Sequence, residues 1–191
     1  MSRCWPSFLS LGLGLLASIF LLNAGWIHTK ALIGQYLVES AWSSSIEDLH
    51  IHRPWPWADT YPVARLRVPD KDVDLIVLSG TSGRTLAFGP GHLESSTLPG
   101  ERGNAVISGH RDTHFRFLQL IHPGDHLLID KTNGETTQYK VIHTQVVESD
   151  SVSLGLKSDD RRLTLVTCWP FDVIPTHPNN DLRYVVEGIE I

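Results

Sequence analysis

From Cys4 to Trp26 the chain carries no charged side chain, and an apolar run of that length matches the roughly 20 residues needed to cross a bilayer's hydrocarbon core. Backbone N–H and C=O groups in lipid must be satisfied within the segment itself, so such a run is committed to helix. Arg3 and the amino terminus precede it, and Trp5 and Trp26 stand where interfacial aromatics lie, which turns the N-terminus toward the cytoplasm. A cleaved signal peptide is the competing reading. Against it, Leu22-Asn23-Ala24 is a poor small-x-small cleavage site and the run exceeds the apolar stretch of a signal. Residues 1–30 are therefore expected to be an uncleaved, single-pass membrane anchor, with the rest of the chain exported.

That topology bears on the two cysteines. Cys4 falls at the cytoplasmic edge and Cys168 in the exported part, so the bilayer keeps them from pairing in one chain. A lone thiol in an oxidising compartment is open to damage unless its reactivity is used. The 191 residues leave enough chain after the anchor for one medium domain, and the net charge of −5 gives no basic excess that would suggest a nucleic-acid partner. With no internal repeat or low-complexity tract, a second domain has no support.

Lys30 to Trp42 carries apolar residues at helical spacing, with Leu32, Tyr36 and Leu37 near one face, and reads as a juxtamembrane helix. Ser43-Ser44-Ser45 and Pro54-Trp55-Pro56-Trp57 then break the pattern, which makes 43–62 a linker and 31–62 the connection between anchor and domain. Trp55 and Trp57 suit either a membrane surface or packing on the domain.

The domain, 63–191, has the signals of an all-β fold. Ala64, Leu66 and Val68 alternate with Arg65 and Arg67 in a strand that Pro69 ends. Short apolar runs at 75–78, 104–107, 126–129, 137–142, 163–166 and 184–186 follow, with Asn133-Gly134 as the clearest hairpin turn. Seven or eight short strands predict a closed barrel or a sandwich, and closure removes exposed edges better. Only His114 to Leu120 looks helical, and briefly.

The chemistry falls at strand ends. Gly103 to Ser108 is an apolar strand that runs into Gly109-His110-Arg111-Asp112-Thr113, and Leu163 to Thr167 is another that runs into Cys168. A thiolate nucleophile needs a partner to protonate the leaving amine, which histidine can do near neutral pH. The oxyanion of the tetrahedral intermediate needs a donor, and an arginine's fixed, permanently charged fork supplies one. Arg183, opening Arg183-Tyr184-Val185-Val186, is suitably located; Arg111, Arg161 and Arg162 are the alternatives.

These segments together resemble the sortase family. Thr164-Leu165-Val166-Thr167-Cys168 is similar to its Thr-Leu-x-Thr-Cys signature, Gly109 to Thr113 to its histidine segment, and Arg183 to Val186 to its arginine strand. Ala87 to His92 and Leu98-Pro99-Gly100-Glu101 also look like sortases, and Thr167 to Asp172 resembles the proteobacterial branch called class GN. The resemblance implies an eight-stranded sortase-type closed β-barrel with short helices, behind one transmembrane helix. It also implies a cysteine transpeptidase, working without a cofactor or metal, that cuts a C-terminal Leu-Pro-x-Thr-Gly-like sorting motif of a secreted protein and passes the thioacyl product to an amine. In that frame Cys168 is the nucleophile, His110 the general acid and then base, Arg183 the oxyanion and substrate clamp, and Thr167 a supporting hydrogen-bond donor. Asp112 either orients His110 or caps the turn. The expected site of action is the inner membrane, with the catalytic domain facing the periplasm.

Two rival classes follow from other residues. His110 with His114, and His122 with His126, have the i, i+4 spacing of paired zinc ligands on a helix, although Pro123-Gly124 breaks any helix at the second pair. Glu148, Asp150, Asp159 and Asp160 read as a solvated acidic loop before a calcium site. A noncatalytic interaction module on an anchor is the remaining alternative. The loop from Trp169 to Asp181, with Pro170, Pro175 and Pro178, is expected to shape the substrate groove.

Overall fold

The alternating apolar runs close on themselves. A computed structural model describes residues 5–149, 158–171 and 181–191, without the side chains of 5–9, 27 and 28. Arg3, Cys4, Asp150 and the Pro175–Pro178 part of the expected groove loop therefore lie outside the described residues. Two compact units divide between Tyr36 and Leu37.

The first unit lies on α1 (Trp5–Asp48), whose N-terminal part is long and apolar enough to cross a membrane. In the second unit the end of α1 packs on the barrel, where Val38 and Trp42, each 2 % exposed, meet Ile76 and Leu78. The linker expected from residue 43 thus begins later. Ser45 donates its hydroxyl to the Ala41 carbonyl at 2.8 Å and is itself buried, so the serine run stays helical because that face is packed. Trp55 packs edge-on against Phe88 at 4.9 Å, whereas Trp57 is exposed.

The barrel consists of β1 (Pro62–Val68), β2 (Val73–Ser79), β3 (Gly91–His92), β4 (Gly103–Ser108), β5 (His126–Lys131), β6 (Thr136–Glu148), β7 (Arg161–Cys168) and β8 (Leu182–Glu190). They close in the order β1-β2-β3-β4-β7-β8-β6-β5. The expected eighth strand is β3, only two residues long, which pairs parallel to β2 and antiparallel to β4. A short helix, α2 (Gly83–Leu86), precedes it, and Ser82 caps α2 by accepting from the Thr85 N–H. The stretch expected to be helical from His114 is a 3-10 turn at Arg116–Leu120.

Alternation fills the barrel. Ala64, Leu66 and Val68 point inward with Leu127, Ile129, Tyr139, Leu163, Leu165 and Val186, while Arg65 and Arg67 point out. There Arg65 forks onto Asp74 at 2.5 and 2.9 Å and reaches Glu39 of α1, and Arg67 forks onto Asp130 at 2.6 and 2.7 Å. The Asn133-Gly134 turn joins β5 to β6 as expected, with Gly134 at φ 84°.

Candidate active site

Register brings the chemistry together. β4 and β7 run parallel in one unbroken offset, from Gly103 beside Arg161 to Ser108 beside Val166. The Gly109 N–H extends the ladder to the Val166 carbonyl at 3.1 Å. β4 ends at Ser108, so His110 lies two residues beyond a strand whose neighbour β7 ends at Cys168. On the other side β8 pairs antiparallel with β7, and Arg183 stands directly opposite Cys168. The bond from Trp169 N–H to Leu182 O at 3.0 Å makes that pair a hydrogen-bonded one. Cys168 and Arg183, one step back, are then a non-hydrogen-bonded pair, with Cα atoms about 4.5 Å apart and side chains close.

Facing also follows from the strand period. Leu163, Leu165 and Thr167 form the inward, buried row of β7, so Cys168 shares the opposite face with Val166. It is half-buried and free, unlike a cysteine that merely fills a core. His110 is exposed and Arg183 half-buried. The Arg183 guanidinium donates to its neighbour's carbonyl, Leu182 O, at 3.0 Å.

Thr167 points inward, and its hydroxyl donates to the Gly109 carbonyl at 2.7 Å. That bond ties β7, the strand that ends at Cys168, to the residue before His110. Asp112 accepts from Arg111, at 2.9 Å from Nε and 3.2 Å from Nη2. The Arg111 guanidinium, bonded to the carboxylate, holds Asp112 below the usual carboxylate range. Arg111 also donates through Nη1 to Pro170 O at 2.7 Å.

The other arginine candidates sit at the far end of β7. Arg161 binds Glu190 at 2.8 Å, and Arg162 reaches Ser158 at 3.2 Å and Asp160 at 3.4 Å. Asp159 pairs with Arg102, so these acidic residues meet cations. Of the histidine pairs, His114 has its pKa lowered by burial and, secondarily, by charge on His110. Among the described residues, no three of His, Cys, Asp and Glu gather where a metal could be held.

Two features were not read from the sequence as parts of the site. Trp169 stacks on Tyr184 at 5.6 Å, and Phe171 meets both edge-on at 5.5 and 5.4 Å, a cluster directly beyond Cys168. The signal was the aromatic spacing after Cys168, but its partner on β8 is remote in sequence. The second feature is His92, whose Nε2 lies 2.7 Å from Thr97 O and 3.1 Å from Ser96 Oγ. A carbonyl only accepts, so Nε2 carries the proton and cannot act as a base toward Ser96. Ser96 Oγ in turn donates to Leu93 O and accepts from the Val106 N–H, which makes this a structural knot.

Comparison with known proteins bears on the family and the fold. The family model described as "Sortase domain" matches residues 66–190. The chain is 36% identical over 124 residues to Sortase D of Bacillus subtilis (strain 168), covering 64% of this chain and 61% of that protein. It is 32% identical over 110 residues to Sortase A of Listeria monocytogenes serovar 1/2a, covering 56% and 49%. The chain thus spans less than two thirds of the length of these relatives. Among solved structures, sortase C-1 from Actinomyces oris superposes with a TM-score of 0.61 at 30% identity, over 68% of this chain and 72% of that one. A Clostridium perfringens Sortase D5 transpeptidase reaches 0.67 over 83% and 98%, and at 21% identity it speaks to the fold alone.

Proposed function

Because the chain belongs to the sortase family, we propose that it is a membrane-anchored cysteine transpeptidase acting on secreted proteins. The observation that supports the reading is the register of three neighbouring strands: β4 runs parallel beside β7 and ends two residues before His110, and β8 sets Arg183 opposite Cys168. The Cys168 thiolate attacks the scissile carbonyl of a Leu-Pro-x-Thr-Gly-like motif, and the Arg183 guanidinium steadies the oxyanion. The C–N bond breaks as His110 gives its proton to the leaving amine, and a thioester remains on Sγ. An acceptor amine then gives a proton to His110 and attacks the thioester, and the thiolate departs. Thr167 supports the nucleophile's strand. The apolar N-terminal helix serves as a single-pass anchor in the inner membrane, and the resemblance of Thr167 to Asp172 to the proteobacterial branch supports a periplasmic catalytic domain.

The test uses the full chain in detergent with a Leu-Pro-x-Thr-Gly peptide panel and hydroxylamine as the amine. Mass spectrometry should detect a cleaved hydroxamate that disappears in Cys168→Ala and persists in EDTA. Equal product from Cys168→Ala sinks the thioacyl mechanism. Arg183→Ala should lower kcat by roughly 100- to 1000-fold, the usual loss of an oxyanion donor.

A further inference from the structure

We propose that Arg111 is a positioning residue that ties the turn carrying His110 to the chain leaving Cys168 and so sets the imidazole against the thiol. The inference rests on the reading of Cys168 and His110 as the reacting pair. β4 ends at Ser108, and the His110 side chain is exposed, so neither a strand ladder nor packing fixes it.

The backbone around it is bracketed instead. On the N-terminal side, Gly109 donates to Val166 O at 3.1 Å and accepts from the Thr167 hydroxyl at 2.7 Å. On the C-terminal side, Arg111 Nη1 donates to Pro170 O at 2.7 Å. Val166 and Thr167 on β7 and Pro170 just beyond its end flank Cys168, while Gly109 and Arg111 flank His110. Two short cross-links, one on each side of both residues, therefore fix the separation of the turn from the thiol. The His110 carbonyl accepts from the Phe115 N–H at 3.0 Å within its own turn, and among the described residues Gly109 and Arg111 bond that turn to the chain around Cys168.

Asp112 completes the clamp through Arg111. Its carboxylate takes Nε and Nη2 at 2.9 and 3.2 Å, which aims Nη1 at Pro170 O. The Arg111 side chain is only 11% exposed although that of Asp112 is 65% exposed. A planar guanidinium can fork onto a carboxylate and still present a third N–H to a carbonyl, whereas a lysine ammonium cannot hold both directions. Precision matters here, because a misplacement of about 1 Å between reacting groups can cost roughly 100-fold in rate.

The experiment follows carboxamidomethylation of Cys168 by iodoacetamide in the full detergent-solubilised chain, from about pH 5 to 10, a span covering ordinary histidine and thiol titration. The forms compared are wild type, His110→Ala, Arg111→Ala, Arg111→Lys, Asp112→Asn and the His110→Ala/Arg111→Ala double variant. His110→Ala moves the midpoint of the rate profile, and Arg111→Ala moves it the same way by at least half as far. The double variant coincides with His110→Ala, since Arg111 acts through the imidazole. Arg111→Lys and Asp112→Asn fall between wild type and Arg111→Ala. A residue that only held the domain together would lower the melting temperature and leave the midpoint alone. Asp112→Asn, at an exposed carboxylate, keeps the question decidable if Arg111→Ala does not fold. A wild-type midpoint in both Arg111→Ala and Asp112→Asn, or a double variant that adds to His110→Ala, overturns the role of Arg111 and leaves the reacting pair standing. If His110→Ala itself leaves the midpoint unchanged, the reacting pair falls and Arg111's role with it.

Discussion

The hydroxyl of Thr167, 3% exposed, supplies a donor to a backbone carbonyl that β4 leaves behind as it ends. Thr167→Val keeps the shape and removes that donor, so the Gly109 carbonyl loses its partner at a cost of about 1–3 kcal/mol. Urea unfolding should read that loss, with Thr167→Ser losing much less. Gly109 answers to space: a Cβ there would lie 2.7 Å from the Phe115 ring, which is fully buried. Gly109→Ala is expected to cost about 1–3 kcal/mol by overpacking, measured by the same unfolding. At this scale Cys168 and His110 stood out in the sequence as candidates, because Cys168 closes an apolar strand and His110 follows one, each in a motif of consecutive residues. Asp112 was left between two roles, since the sequence holds no record that Arg111 beside it would bend toward Pro170 and take the carboxylate along.

Elements were legible in proportion to their own periodicity. β1 announced itself through strict alternation, and its burial follows that alternation residue by residue. β3 could not, because two residues carry no period; it exists because Gly91 lets two backbones approach. A Cβ on Gly91 would fall 2.1 Å from Gly80 O. Gly91→Ala should therefore unpair β3, and hydrogen exchange should show faster exchange of the Leu78 amide, which now donates to Pro90 O at 2.8 Å. The end of α1 is the opposite case: three serines argued for a break, and packing overrode them. Trp42→Ala should cost about 3–5 kcal/mol, seen as a lower melting temperature of the domain, because that indole fills the contact with Ile76 and Leu78.

At the scale of the whole molecule, buried His92 and half-buried His114 contribute to the pH dependence of stability. Burial lowers the pKa of His92, against the Thr97 carbonyl and Glu94, which raise it, and burial also lowers that of His114. Each protonates less readily folded than unfolded, so their contribution is present above the ordinary histidine pKa of about 6.5 and is lost as pH falls below it. The urea midpoint should therefore drop as pH falls below about 6.5, toward the lowered folded-state pKa values; a midpoint that rises on acidification contradicts the assignment. By itself the sequence determined the apolar N-terminal segment, the inward and outward faces of the strands, and the residue types that carry thiol chemistry, because these depend on composition, on a period of two and on local motif. Only the tertiary structure decided which strands are neighbours. The parallel register of β4 with β7 and the antiparallel register of β7 with β8 bring to one level residues dozens of positions apart, and closure of the barrel fixes that level. The Arg111 clamp has the same origin, since a hydrogen bond to a backbone carbonyl leaves no mark on the identity of the residue that offers it.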